Sequence, residues 1–290
     1  MTDPHPPNMS PLSARGSTTP GEGIPTPARA GEPFDRQFPT PSATAPSATA
    51  RPVRAAYVPP ARTPLVTHAL LGLTIVIFLG QLITPLLFGY DFLVEWGVKS
   101  NALIVRGQLW RLFTPMLLHG GLLHIAFNMY ALRVLGPGLE QHYGHWRFLA
   151  LYLLAGFAGN VASFALSSAD SLGASTSLFG LFGAEGVFLY QNRELFGERA
   201  RAALNRVITL AVINLVIGLS PGIDNWGHIG GLIGGVLFAW FAGPVLKLEG
   251  IAPAYSIQDR RELASVWLAA IGVGMLFTAI AAGVIFMRGA

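Results

Sequence analysis

The chain has 290 residues, 52% of them hydrophobic and only 12% charged. Soluble globular chains carry about a quarter charged residues, so half that fraction with a mean hydropathy of +0.50 excludes an ordinary soluble domain and indicates an integral membrane protein. Cysteine is absent, which excludes disulfides, thiolate catalysis and cysteine-held metal, and the net charge of +4 is not gathered into a basic patch with interleaved aromatics, so no nucleic-acid partner is expected.

Residues 1–62 hold 14 of the 21 prolines, with many Ser, Thr, Ala and Gly. Such a composition buries too little apolar surface to offset chain entropy, and it predicts a disordered cytoplasmic tail. It contains no charged region followed by an apolar region and a cleavage site, so no cleaved signal peptide is expected. A membrane core over 63–246 follows, then a linker and a last helix over 247–290.

Seven apolar segments are predicted, at about 65–87, 112–135, 147–167, 174–191, 203–219, 226–246 and 264–287. Segments of about 17–20 residues suffice to cross a hydrocarbon core, and the alternation of a strand barrel is missing, so the spans are helices. If the N-terminus is cytoplasmic, Lys99, Arg106, Arg111 and Arg288 lie outside, and the other 15 of the 19 Lys and Arg lie inside. That asymmetry sets the orientation. The 88–111 connection then lies outside, with Tyr90, Trp96 and Trp110 as interfacial anchors.

Polar residues inside a bilayer are costly and call for a reason. In the second segment these are His119, His124 and Asn128, the last two sharing a helix face at a spacing of four. Ser175 opens the fourth segment and His228 lies near the start of the sixth. By the predicted topology all of them sit in the outer half at similar depth. A serine and a histidine at one depth suggest a nucleophile and its base. A histidine and an asparagine on a third helix, with the backbone N–H of Ser175 at a helix N-terminus, suit a tetrahedral oxyanion. Gly227, Gly231 and Gly235 recur every four residues and, with Gly180 and Gly183, would let two helix backbones approach closely. Phe179, one turn after Ser175, is placed to pack beneath an imidazole.

Taken singly, these residues have plainer readings. Ser175 reads as a helix N-cap, His228 as a packing histidine, and His124 and Asn128 as interhelical hydrogen-bonding groups. Asp224, four residues before His228, reads as a turn residue or as the third member of a triad. His119 reads as a structural residue holding the outer loop. His142 and His145 fall in a cytoplasmic loop. Glu185 lies about 15 Å below Ser175 along its helix, with Asn160 or Asn214 as candidate partners.

Jointly these pieces resemble the rhomboid intramembrane serine proteases. The resemblance rests on Trp110-Arg111, on His119, His124 and Asn128, on Gly173-Ala174-Ser175, and on Gly227-His228 with Gly231 and Gly235. The stretches LEQHYGHWRFLALYLLAG and PGIDNWGH also resemble bacterial members, and the likeness covers about 85–246. It implies an all-α polytopic membrane protein, a rhomboid-like six-helix bundle with a seventh C-terminal transmembrane helix. It further implies Ser175 as nucleophile and His228 as base in a dyad without an acid, and His124 and Asn128 as oxyanion-hole donors. Gly173, Phe179, His119 and Gly231 would support the site, and Trp110-Arg111 would brace the outer loop. Neither metal nor cofactor is implied. The implied substrates are single-pass transmembrane proteins cut near the outer end of their helix, in a bacterial cytoplasmic membrane. The family's G-x-S-G departs here to Gly173-Ala174-Ser175-Thr176, which sets a stiff β-branched residue beside the nucleophile. A catalytically silent rhomboid-like helix binder is the alternative function, and a transporter a more distant one.

Overall fold

The computed structural model describes residues 63–251 and 254–290; the tail over 1–62, expected to be disordered, lies outside the described residues. Helix α1 (Leu65–Phe88) is followed by the short helices α2 (Phe92–Gly97) and α3 (Asn101–Val105) and two 3-10 turns at Leu109–Leu112 and Thr114–Leu117. Then come α4 (Leu122–Tyr143), α5 (His145–Leu166), α6 (Ser175–Gln191), the single turn α7 (Arg193–Phe196), α8 (Glu198–Ile217) and α9 (Asn225–Ala242). An antiparallel hairpin, β1 (Leu246–Ile251) and β2 (Ala254–Asp259), leads to the last helix, α10 (Leu263–Gly289).

The protein is thus an all-α membrane protein with seven long helices among the described residues and one small hairpin. Two expectations shift. The second helix starts ten residues late, at Leu122, because Pro115 and the Gly120-Gly121 pair hold 112–121 in tight turns and extended backbone. It then runs through Pro137 to Gly144, whose φ of +78° ends it. The sixth helix stops at Ala242, before Gly243-Pro244, and the next residues pair as a hairpin that composition did not reveal. His142 therefore lies in the last turn of α4 and His145 opens α5, rather than both lying in a loop.

Among the described residues four helices, α1, α5, α8 and α10, are long and apolar enough to cross a membrane by length and composition. The other long helices, α4, α6 and α9, carry the polar residues and glycines singled out above. Of these, α6 and α9 join α5 at the centre, with Leu151, Tyr152, Ala155, Ala158, Leu181, Phe238 and Ala239 fully buried, whereas α4 leaves Leu122, Leu123, Phe127, Tyr130 and Val134 exposed.

Helix α9 uses its glycines on two faces. A Cβ on Gly231 or Gly235 would fall on the backbone of Thr176 or Gly180 in α6. A Cβ on Gly230 would stand 2.9 Å from the Ala158 carbonyl in α5. The spacing of four along the chain marks the first face and not the second.

At the end of the bundle away from Ser175, one carboxylate joins three helix termini. Glu140, fully buried in α4, accepts from the backbone N–H of Val66 (2.8 Å) and Thr67 (2.7 Å) and from the Thr67 hydroxyl (2.6 Å). Its other contact is His145 Nδ1 at 2.5 Å. The first turn of α1 has no side-chain cap of its own, so an acceptor from α4 supplies one and also suits the positive end of the helix dipole. Glu140→Ala strands these buried donors and is expected to lower stability by about 2–4 kcal/mol. The measurement is the unfolding midpoint of the purified protein in detergent; an unchanged midpoint would refute the assignment.

Candidate active site

Ser175 is the first residue of α6. The cap position is Ala174, with no side-chain cap bond, and the first helical bond runs from Leu178 N to Ala174 O at 3.1 Å. The N–H groups of Ser175, Thr176 and Ser177 therefore precede the helical ladder and point out of the helix end. The serine hydroxyl is not used as a cap. Its Oγ lies 2.9 Å from His228 Nε2, across the α6–α9 seam.

The His228 ring is buried and lies flat on Phe179, with centroids 4.3 Å apart and planes 17° apart. Its Nδ1 has no hydrogen-bond partner among the described residues. Asp224 is not that partner. It is the N-cap of α9, accepting from Gly227 N at 3.1 Å, so the triad reading of Asp224 is replaced by a capping role. An aromatic face, rather than a carboxylate, sets the plane of the imidazole.

His124 lies in the first turn of α4. Gly120 N donates to its Nδ1 at 3.3 Å, which in a neutral ring assigns the proton to Nε2. That Nε2 faces Gly173. A Cβ on Gly173 would stand 2.8 Å from His124 Nε2 and 3.6 Å from Ser175 Oγ, and the φ of +137° already demands glycine. Asn128, one turn further and buried, donates through Nδ2 to the His124 carbonyl at 2.9 Å. His124, Gly173 and Ser175 thus line one small space, with Asn128 beside it.

His119 lies outside α4, in the segment that precedes it. Its backbone is held from both sides by Gln81 of α1, which accepts from His119 N and donates to His119 O, each at 3.0 Å. Its ring meets that of His124 edge-on, 5.1 Å between centroids. Gln81 was missed in the sequence; the signal was a lone amide in the middle of an apolar run.

Trp110 and Arg111 lie in the tight turns before α4. The Arg111 guanidinium donates to Val98 O (2.8 Å), Glu95 O (2.7 Å) and Gln108 Oε1 (2.7 Å), tying α2 to these turns. Trp110 stacks on Trp96 at 5.5 Å and donates to its carbonyl at 3.0 Å.

Thr176 points away from the space around Ser175. Its Cβ would meet a Cβ on Gly159 at 2.6 Å, and its Cγ2 one on Gly227 at 3.1 Å, so glycines on α5 and α9 make room for the extra carbons. Glu185 does not pair with the expected asparagines: Asn160 donates to Leu112 O and Asn214 to Leu210 O. No cluster of three or more His, Asp or Glu suited to a metal ion occurs among the described residues.

Fold and site together define a polytopic membrane protein with a serine–histidine pair held between two of its helices. Comparison with known proteins gives the family. Residues 106–245 match the Rhomboid domain. The chain is 40% identical over 215 residues to Rhomboid protease GluP of Bacillus subtilis, covering 74% of this chain and 40% of that protein. It is 39% identical over 177 residues to RHOMBOID-like protein 5 of Arabidopsis thaliana (57% and 56%) and 35% identical over 171 residues to the chloroplastic RHOMBOID-like protein 9 (59% and 38%). The chain belongs to the rhomboid family. It spans 40%, 56% and 38%, respectively, of the lengths of these relatives.

Gly173→Ala places a methyl group against His124 in a backbone conformation that alanine avoids, and is expected to disorder the space in front of Ser175. Reaction of Ser175 with a serine-directed probe is expected to fall by about 100-fold, as when an oxyanion donor is lost. Labelling at the wild-type rate would show that the space tolerates the methyl.

Proposed function

We propose that the protein is an intramembrane serine endopeptidase that cleaves transmembrane segments of other membrane proteins near the outer face. The observation that carries this reading is the 2.9 Å approach of Ser175 Oγ to His228 Nε2. The membership in the rhomboid family and the likeness to a relative named as a rhomboid protease support it.

In this reading the Ser175 oxygen attacks the scissile carbonyl while His228 Nε2 accepts its proton. The tetrahedral oxyanion forms in the space lined by Gly173. There the His124 Nε2–H, the free N–H groups at the start of α6 and the amide of Asn128 are the available donors. His228 then returns the proton to the leaving amine, and the acyl-enzyme is released by water after a second proton transfer through the same imidazole. With no carboxylate on Nδ1 among the described residues, the imidazolium formed in each step relies on its Phe179 contact and on the surrounding dipoles. The distribution of Lys and Arg supports a cytoplasmic N-terminus, which turns the Ser175 end of the bundle outward. A bacterial cytoplasmic membrane and single-pass membrane-protein substrates complete the proposal.

The test uses the purified protein in detergent with a fluorophosphonate probe, the label mapped by mass spectrometry. Label on Ser175 is expected in the wild type and is expected to vanish in Ser175→Ala and His228→Ala. His124→Ala is expected to cleave a transmembrane reporter about 100-fold more slowly. A folded wild type that takes no label, in the presence of a reactive control hydrolase, would overturn the reading and move weight to a silent helix-binding protein.

A further inference from the structure

Lys99 has no part in the chemistry above, yet it is among the largest wholly buried side chains of the protein. A buried lysine is rare unless its ammonium has a task, because packing alone is served better by an apolar side chain. The Lys99 ammonium donates to Ala169 O (2.6 Å) and Ser167 O (3.4 Å). Its backbone pairs with Ser171 in both directions, at 3.0 and 3.2 Å. Asn101 Nδ2 adds a second bond to Ser167 O at 2.7 Å, and Gly173 N donates to Pro115 O at 2.9 Å.

These contacts hold the segment between the end of α5 and Ser175, which has no helix of its own to fix it. Burial lowers the lysine pKa, and the carboxylates of Asp224 and Asp170 oppose that effect. Asp224 is the N-cap of the helix that carries His228, and its Oδ2 is buried without a hydrogen-bond partner among the described residues.

We propose that Lys99 is a positioning residue for Ser175: it ties residues 167–171 to the α2–α3 loop and so sets where Gly173 and the first turn of α6 sit against His228 and His124. This rests on the reading of Ser175 as the nucleophile. The ammonium acts at a distance from the reacting atoms, through the carbonyls of the segment, and it touches neither substrate nor base.

The experiment compares wild type, Lys99→Met and Lys99→Arg as full chains in detergent. It measures the maximal rate of fluorophosphonate labelling of Ser175 separately from the probe's half-saturating concentration, below each unfolding midpoint. Methionine keeps the buried stem and removes the donors; arginine keeps donors and charge. The expected result is a maximal rate about tenfold or more lower in Lys99→Met, since displacing a reacting group by an ångström costs up to about 100-fold, with half-saturation within about twofold and a partial recovery in Lys99→Arg. A folded Lys99→Met that labels at the wild-type maximal rate would overturn the proposal and leave the nucleophile reading intact. An unlabelled wild type would overturn that reading and this inference with it. If Lys99→Met does not fold, Asn101→Ala, which releases the same segment at Ser167, decides: a lower maximal rate with unchanged half-saturation supports the proposal, and an unchanged rate overturns it.

Discussion

Everything that distinguishes this site depends on how closely α9 lies against α6. Helix association in lipid is not driven by hydrophobic burial, because the tails are as apolar as leucine; it depends on close van der Waals packing and on polar bonds between helices. Gly231 and Gly235 bring the α9 backbone onto that of Thr176 and Gly180, and Gly183 brings α6 to within 2.9 Å of the Leu232 carbonyl for an added Cβ. Side chains in those places would separate the helices, and the Oγ of Ser175 would no longer reach the imidazole of His228. The seam is built from absent atoms, and the contact between Ser175 and His228 is a consequence of the seam.

The second feature is how the polar groups are distributed. Several near Ser175 are held by backbone partners: His124 by the Gly120 N–H, Asn128 by the His124 carbonyl, Gln81 by the His119 N–H and carbonyl, and Arg111 by the carbonyls of Glu95 and Val98. Backbone partners satisfy buried polar groups without adding further charges inside the bundle. The His228 ring follows a different rule. It is fixed by stacking on Phe179, one turn along α6 from the serine, so one helix presents both the hydroxyl and the surface on which the His228 imidazole rests.

The departure at Thr176 is explained by the same packing logic. A residue with two branches at Cβ follows Ser175, but its carbons turn into the space left by Gly159 and Gly227, away from Gly173. The extra volume is absorbed by glycines on two other helices. At the opposite end of the bundle, Arg147 meets Asp259 at 2.7 Å, which joins α5 to the hairpin before α10. Arg288 at the far end of α10 donates to the Ala165 carbonyl at 3.2 Å. The seventh helix is therefore fastened to α5 at both ends.

The sequence by itself determined the membrane class, the seven long helices and the identity of the polar residues that converge, because apolar run length, charge asymmetry and a polar atom in lipid each carry a large free-energy signal that is local in the chain. It also placed Phe179 and the Gly231 face by helical spacing alone. It did not reveal where α4 begins, the hairpin, the capping role of Asp224, the second glycine face at Gly230, or the parts played by Gln81, Glu140 and Lys99. Those were decided only by the tertiary structure. Glu140 is 73 residues from the Thr67 N–H it caps, and Lys99 is 70 residues from the Ala169 carbonyl it holds. A hydrogen bond a few ångströms long between such distant residues leaves no periodicity for a sequence to show.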